Sequence, residues 1–350
     1  MMKNRYQDIF HQIEKDREQG QGSNKNSHLL IIDGLNTFIR VFSAVPALND
    51  DGMHIGGVTG FLRSIAANIR QHKPTRCIVI FDGKGGSARR KKLYPNYKAN
   101  RANKTAFNRH KEFASLQDEQ DSMKRQYGRM IQYLNCLPVT TMAIDQIEAD
   151  DAIAYLTTQV YNKPDNRVTI VSTDRDFLQL VDNRVSVWSP VKKKMYTPDL
   201  MRDEFGIDAK NYLLYRAITG DKSDNIPGVN GVGLKTMIKR IPIITEYSEL
   251  SVDRLVEYVS GLDKKYKVHE ILEQSGDQIK LNYDLMQLKD VDISGDAKMK
   301  IMHIAQDEIT KMDVLSFKKM FMVDKMYTVI KDLDTWLSSA FNPLNAYRSL

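Results

Sequence analysis

The chain has 350 residues, of which 42% are hydrophobic, and its formal net charge is +7. This length predicts about two domains with a sizeable core. The absence of a signal peptide and of a run of about 18 apolar residues predicts a soluble protein that is not exported. The positive charge is compatible with a polyanionic partner, but on charge alone an ordinary soluble basic protein is the better interpretation.

The two cysteines, Cys77 and Cys136, lie far apart in the sequence and lack metal-binding spacing. We therefore expect reduced thiols in a cytoplasm. Residues 1–27 are polar and end in a linker-like stretch at 20–27, which predicts a tail without chemistry of its own.

Strand-like and helix-like segments alternate from residue 28 onward. Short apolar runs at 28–33, 77–82, 139–144 and 168–173 predict buried strands, and helical spacing at 57–72, at 121–135 and after Glu148 separates them. This alternation predicts an α/β fold with a mainly parallel sheet and helices on both faces.

Three aspartates, Asp33, Asp82 and Asp174, follow the ends of these predicted strands. One aspartate at such a position is usually a turn former or a helix cap. Three of them indicate a shared site, because ligands of parallel sheets bind beyond the carboxyl ends of the strands.

Further acids lie close by in the sequence. Glu148, Asp150 and Asp151 open one predicted helix, and Asp174 and Asp176 follow the next strand. Crowded like charges are unfavourable unless a cation lies among them, so the pattern predicts a cation site.

The segment from 83 to 111 contains no acidic residue but many lysines and arginines, interleaved with Tyr94, Tyr97 and Phe107. A charge run is usually a solvated face, but this one is too long for an ordinary loop. Basic and aromatic residues together suit a phosphate backbone with unstacked bases. Lys98 and Arg101 have the spacing to share one face of a helix.

A glycine-rich turn, Gly228 to Lys235, lies between two predicted helices. It matches neither a nucleotide P-loop nor a dinucleotide fingerprint. Its backbone could approach a phosphate or a cation, and the alternative is a simple helix–turn–helix connection. Residues 238–350 look helical and lysine-rich, without a chemical motif.

Six motifs in order carry a family resemblance: IDGLN, FDG, LYPNYKANR, IEADD, STDRDF and GDKSDNIPGVNGVGLK. Together they resemble the 5′-nuclease, or flap-endonuclease, family. Within this family, the motifs most resemble those of the phage 5′-3′ exonucleases, including the T-even phage RNase H, and of the 5′-nuclease domain of bacterial DNA polymerase I. No polymerase follows, so we expect a stand-alone nuclease, phage-encoded and active in a bacterial cytoplasm.

The resemblance implies a PIN-like (resolvase-like) fold. A catalytic domain would span 28–220, with a helical arch at about 84–126. A C-terminal helical domain at 221–350 would contain a helix–three-turn–helix DNA-binding element.

The resemblance also implies the site residues. Two divalent metals would be held by Asp33, Asp82, Glu148, Asp150, Asp151, Asp174, Asp176, Asp221 and Asp224. The first metal would lie near Asp33, Asp82, Glu148 and Asp150, the second near Asp176, Asp221 and Asp224, with Asp174 between them. Catalysis would depend on Asp33, Asp82, Asp174, Lys98 and Arg101. DNA would contact Arg89, Arg90, Tyr97, Lys98, Arg101, Lys104, Gly228, Gly231, Gly233 and Lys235, with Tyr97 available to stack on a base.

The implied activity is metal-dependent hydrolysis of 5′ flaps, single-stranded 5′ ends and RNA–DNA primer junctions. Mg²⁺ is the expected metal, with Mn²⁺ as a substitute and K⁺ at the glycine turn, because many acids without His or Cys suit a hard cation. Replication proteins such as a single-strand binding protein or a sliding clamp are the expected partners, and no membrane is. The alternatives are a non-catalytic DNA-binding protein on the same fold and a PIN-class ribonuclease.

Overall fold

The computed structural model describes residues 25–102, 107–110 and 113–348. Lys104 and nearly all of the polar tail lie outside the described residues. The strands are β1 (His28–Asp33), β2 (Arg76–Asp82), β3 (Thr140–Ile144), β4 (Arg167–Val171), β5 (Val185–Ser189) and β6 (Lys194–Tyr196). They form one sheet in the order β3-β2-β1-β4-β5-β6, parallel except for the β5–β6 pair.

Helices cover both faces of the sheet and form most of the C-terminal half. In the first half they are α1 (Gly34–Ala44), α2 (Gly56–His72), α3 (Ala88–Leu93), α4 (Leu116–Leu134) and α5 (Ala149–Tyr155). In the second half they are α6 (Pro198–Phe205), α7 (Tyr212–Thr219), α8 (Leu234–Arg240), α9 (Ile243–Glu246), α10 (Val252–Ser260), α11 (Lys267–Gln274), α12 (Gly276–Met286), α13 (Gly295–Gln306), α14 (Val314–Val323) and α15 (Leu333–Asn345).

The strands are apolar throughout because both faces of the sheet are buried. In β1, Leu29 and Ile31 point into a core shared with α5 and the helices α6 to α13. Leu30 and Ile32 point into a second core, shared with α1, α2, α4 and the C-terminal helices α14 and α15. The predicted mainly parallel sheet with helices on both faces is confirmed.

The strand order brings the three strand-end aspartates together. β2, β1 and β4 are neighbours and run parallel, so their carboxyl ends meet at one edge. Asp33 and Asp82 are the last residues of β1 and β2, and Asp174 follows the end of β4 by three residues. The side chain of Asp33 also accepts the Asn36 N–H at 3.2 Å and so caps α1.

The basic segment after β2 differs from the prediction in two places. Lys98 is not helical, because its φ is +56° and only a short 3-10 turn, Ala99–Ala102, follows it. Helix α4 begins at Leu116, and its buried Gln126 accepts the N–H of Gly57 on α2 at 2.8 Å. The last part of the predicted arch is therefore a helix packed on the domain, and an arch remains a prediction for the residues before it.

Within the described ranges, no helix is both long enough and apolar enough to cross a membrane.

Candidate active site

A cleft of about 630 Å³ lies at the carboxyl edge of the sheet. The acids that line it are Asp33, Asp82, Asp150, Asp174 and Asp224. Lys98 and Arg101 line the same cleft, opposite the strand ends. The sequence-predicted catalytic set, Asp33, Asp82, Asp174, Lys98 and Arg101, is thus brought to one cavity.

Three of these carboxylates have no basic partner. Among the described residues, Asp33, Asp82 and Asp174 form no ion pair. Burial and the Asp174 charge raise the pKa of Asp33 to about 7. Asp174 is open to the cleft, yet the cleft walls still desolvate it and raise its pKa to about 6. A nearby cation would relieve both groups.

Asp82 and Asp150 are fixed by the start of helix α5. Asp82 accepts the N–H of Ala149 at 2.8 Å, which ties the end of β2 to the first residue of this helix. Asp150 lies one residue further and faces the cleft, with a quarter of its side chain (26%) exposed. The Arg90 and Lys98 charges outweigh burial and lower the pKa of Asp150, so this carboxylate is ionised.

The other two acids at the start of α5 point away from the cleft toward Arg90. The guanidinium of Arg90 donates to both oxygens of Asp151, at 2.7 and 2.8 Å, and also to Glu148. Glu148, Asp150 and Asp151 come close enough together to hold an ion. However, Arg90 donates to Glu148 and Asp151 and lies 3.6 Å from Asp150, so Asp150 is the member of this group that is less tightly held and lines the cleft.

A second arginine occupies the predicted second metal position. Arg216 on α7 donates to Asp176 at 2.9 Å and also to Asp221. Bonds from Ser223 and the Arg216 charge outweigh burial and lower the pKa of Asp221. Burial and the Asp174 charge raise the pKa of Asp176 to about 8 despite Arg216. Arg216 was missed in the sequence, although it lies on the helix that leads directly into the Asp221 loop.

Lys98 and Arg101, in the basic segment that follows β2, contact two further acids of the site, Glu148 and Asp224. Lys98 Nζ donates to Glu148 at 2.5 Å and lies 4.0 Å from Asp224, to which Arg101 also donates. The backbone N–H of Lys98 donates to the Asp224 carbonyl at 2.9 Å. These contacts hold both basic side chains at the mouth of the cleft, where more than half of Arg101 (56%) is exposed.

Two sequence-based expectations for DNA contact are wrong. Tyr97 cannot stack on a base, because its ring is 2% exposed and packs among Leu213, Ile226 and Leu285. Its hydroxyl faces Asp224 at 3.2 Å instead. Arg90 cannot contact DNA either, because it is buried among the carboxylates that it neutralises. Both residues support the site from behind.

The glycine turn lies between α7 and α8, as expected. Gly231 has φ +77°, and a Cβ there would meet no atom within 4 Å, so the turn leaves open space beside its backbone. Gly228 approaches the Thr219 carbonyl so closely that a Cβ would lie 2.1 Å from its oxygen. Lys235 and Gly233 are exposed at the start of α8. Arg89 is half-buried, 4.0 Å from Asp151.

The donor set of the cleft fits a hard divalent cation. Asp33, Asp82, Asp150 and Asp174 offer only carboxylate oxygens, and three of the four have no basic partner in the described structure. Oxygen ligands of this kind suit Mg²⁺ or Mn²⁺ better than softer metals.

Comparisons with known proteins agree with this fold and site. Residues 28–206 match the family model of the 5′-3′ exonuclease N-terminal resolvase-like domain, and residues 207–308 match that of the 5′-3′ exonuclease C-terminal SAM fold. The chain is 33% identical to a 5′-3′ exonuclease of Bacillus subtilis over 248 residues, which covers 68% of this chain and 76% of that protein. It is 29% identical to a 5′-3′ exonuclease of Aquifex aeolicus, over 87% of this chain and 95% of the relative.

DNA polymerase I of Bacillus subtilis is 29% identical over 73% of this chain, which matches only 27% of that longer protein. A structure of T5 5′-exonuclease with divalent metal ions (zinc) bound superimposes with a TM-score of 0.59 at 23% identity, over 85% of this chain and 98% of the other. The similarity to this solved structure confirms the fold.

An acid-lined cleft on a resolvase-like sheet, with a helical SAM-like domain behind it, defines a nuclease. The chain belongs to the 5′-3′ exonuclease family. The 5′-nuclease resemblance seen in the six motifs is thereby confirmed. The family models meet at residue 206, and the domain division at residue 220 remains a prediction.

Proposed function

We propose that the chain is a metal-dependent, structure-specific 5′-3′ exonuclease and flap endonuclease. It acts on DNA flaps, single-stranded 5′ ends and RNA-primed ends during replication. The observation that supports this most is the cleft itself, where Asp33, Asp82 and Asp174 form no ion pair with a described residue and share the cavity with Lys98 and Arg101. Hydrolysis adds water to the phosphorus and breaks the P–O3′ bond, leaving a 5′-phosphate on one product and a 3′-hydroxyl on the other.

The chain's own residues have separate tasks in this proposal. Asp33, Asp82, Asp150 and Asp174 would hold the first divalent ion. A second ion at Asp176, Asp221 and Asp224 would require Arg216 and Arg101 to release these carboxylates. Two Mg²⁺ ions, when bound, supply an activated water and stabilise charge on the attacking and leaving oxygens. Lys98 and Arg101 add positive charge at the scissile phosphate. Glu148 and Asp151 anchor Arg90 and Lys98, so their part is positioning.

The duplex beside the cleavage point would lie on the glycine turn. The open backbone at Gly231 and Gly233 and the exposed Lys235 suit a phosphate backbone, with K⁺ bound at the turn. Arg89 would add positive charge near the start of helix α5, and Lys104, outside the described residues, stays a predicted DNA contact. We further propose that the enzyme is phage-encoded and cytoplasmic, since its two free thiols, Cys77 and Cys136, suit a reducing compartment. It would work with a single-strand binding protein or a sliding clamp.

The decisive experiment maps product ends on a 5′ flap, a nicked duplex and an RNA-primed duplex, each with Mg²⁺ or with EDTA. Mg²⁺-dependent products with 5′-phosphate and 3′-hydroxyl ends support the proposal. Binding of the flap without cleavage in Mg²⁺ and in Mn²⁺ would instead identify a non-catalytic DNA-binding protein, and cleavage of RNA alone would identify a ribonuclease.

A further inference from the structure

A second basic cavity lies behind the active-site cleft, on the outer side of helices α1 and α2. Its volume is about 640 Å³, and its basic side chains are Arg40, Arg63, Arg70 and Lys331. We call it the rear basic cavity. Arg40 lines both this cavity and the active-site cleft, so the two lie next to each other.

Two regions of the chain build the rear basic cavity. Arg63 and Arg70 lie seven residues apart on α2, two helical turns, and therefore on one face. Lys331 and Trp336 come from the C-terminal segment after residue 308, where the matched family models end. The segment is held in place by its own apolar packing, since Phe341 and Leu337 are buried in the core beside α2.

The charges of the rear basic cavity are not neutralised within the protein. None of its four basic side chains forms an ion pair in the part of the chain that the structure describes. Its one acid, Asp332, is already engaged as the cap of α15, where it accepts the Thr335 N–H at 3.1 Å. Four basic side chains and one acid therefore leave a net charge of +3 around this concave space.

Arg40 shows the need for an anion most directly. Among the described residues its buried Nε has no hydrogen-bond partner, and its Nη2 reaches Ser64 Oγ at 3.4 Å. Burial lowers the pKa of Arg40, which reflects desolvation without a counter-charge. A buried, unpaired guanidinium N–H costs free energy that a bound phosphate would recover.

We propose that the rear basic cavity binds the phosphates of a single-stranded nucleic-acid segment that passes Arg40 on its way to or from the active-site cleft. A duplex is about 20 Å wide and does not enter a concave space of this size, whereas a single strand does. The half-buried Trp336 in the wall offers an aromatic surface beside the arginines, the combination that binds single strands. The inference rests on the proposed function only in taking nucleic acid as the ligand.

The test compares two double variants of the full-length chain. Arg63→Ala with Arg70→Ala removes two exposed charges from the rear basic cavity. Lys311→Ala with Lys319→Ala removes two exposed charges from the C-terminal region outside it and is the matched control. Binding is measured in EDTA by fluorescence anisotropy, with a flap that carries a 5′ single-stranded arm of about 15 nucleotides and with the same nicked duplex lacking the arm.

We expect the cavity variant to bind the armed flap about tenfold more weakly than wild type. The slope of log affinity against log salt concentration should be smaller by about 1.4, because each of the two lost phosphate contacts contributes about 0.7 to it. Its loss on the armless duplex should be several times smaller, and the control should stay within about twofold of wild type on both. Lys331→Ala should weaken armed-flap binding by about threefold, which tests the contribution of the C-terminal segment.

Equal affinities of the cavity variant and the control would overturn the inference, and so would an equal loss on armed and armless substrates. Neither result touches the proposed function, because that depends on Mg²⁺-dependent cleavage by the wild-type chain. Conversely, a wild-type chain that cleaves nothing but binds the arm through these arginines would overturn the proposed function and leave the cavity in place.

Discussion

The acids around the active site fall into two groups that differ in what balances their charge. Asp33, Asp82 and Asp174 lie at the strand ends and have no basic partner in the described structure. Glu148 and Asp151 lie behind them and share the buried Arg90. The protein supplies a permanent cation, Arg90, to Glu148 and Asp151, which we call the inner group. It leaves Asp33, Asp82 and Asp174, the outer group, free to bind a dissociable cation. In the proposed function, the outer group would hold the metal and the inner group would position Arg90 and Lys98.

The strongest way to break this comparison is Asp174→Asn. The substitution keeps the size of an outer carboxylate but removes its charge, so we expect single-turnover flap cleavage in Mg²⁺ to fall roughly a thousandfold, with duplex binding retained. Asp263→Asn, at an exposed position outside the cleft, is the control and should cleave at the wild-type rate. Wild-type cleavage by Asp174→Asn would show that this carboxylate holds no catalytic metal.

For the inner group, Arg90→Ala should act on stability. It leaves Asp151 buried without its main cation and Glu148 with Lys98 alone, and breaking a buried pair in this way costs about 3–5 kcal/mol in the free energy of unfolding. Urea denaturation in EDTA measures this loss.

The exposed pair of Lys300 and Asp296 provides the contrast, because Lys300→Ala should leave the urea midpoint unchanged. If Arg90→Ala unfolded at the wild-type urea midpoint, the inner acids would not depend on this arginine.

Lys98→Ala tests a residue that connects the inner group to the cleft. Lys98 binds Glu148 at 2.5 Å and lines the cleft, so we expect single-turnover cleavage to slow about a hundredfold while flap affinity changes by less than about threefold. Quenched-flow cleavage and anisotropy on the same flap separate the two effects. Equal losses in rate and affinity would make Lys98 a simple phosphate tether.

The smallest expected effect concerns the metal-free protein. Burial raises the pKa of Asp33 from 3.8 to about 7 in the folded chain. At a pH between these two values, Asp33 carries a proton in the folded state but not in the unfolded state. Its contribution to stability is therefore lost as pH rises from about 4 to about 7.

Asp33→Asn should consequently raise the melting temperature in EDTA by a few degrees at pH 8, with no gain at pH 4. The same variant should lose the stabilisation that Mg²⁺ gives to wild type. A calorimetric series over pH, with and without Mg²⁺, would contradict the prediction if the variant and wild type shifted in parallel.

The outer group could be predicted from the sequence, whereas its surroundings could not. Asp33 and Asp82 each end an apolar run, and parallel-sheet topology then requires them to share an edge. The pairing of Arg90 with Asp151 joins residues that are 61 positions apart, and no local sequence pattern predicts it.

The burial of Tyr97 has the same origin. Its alternation with lysines suggests a solvent-facing ring, but the apolar residues that cover it come from α7, the Asp221 loop and α12. The helical face predicted for Lys98 and Arg101 fails because Lys98 adopts a positive φ, which the type of residue does not favour. Sequence periodicity reports on single elements, and these errors arise where several elements meet.

The unusual backbone of Lys98 has a mechanical consequence. Its N–H is held by the carbonyl of Asp224, in the loop that leads directly into the glycine turn. Displacement of that loop would move the Lys98 backbone through this bond, and Arg101 and Tyr97 contact the side chain of the same Asp224. In the proposed function, binding of a double helix at the turn would therefore be coupled to the position of the Lys98 amine at the mouth of the cleft.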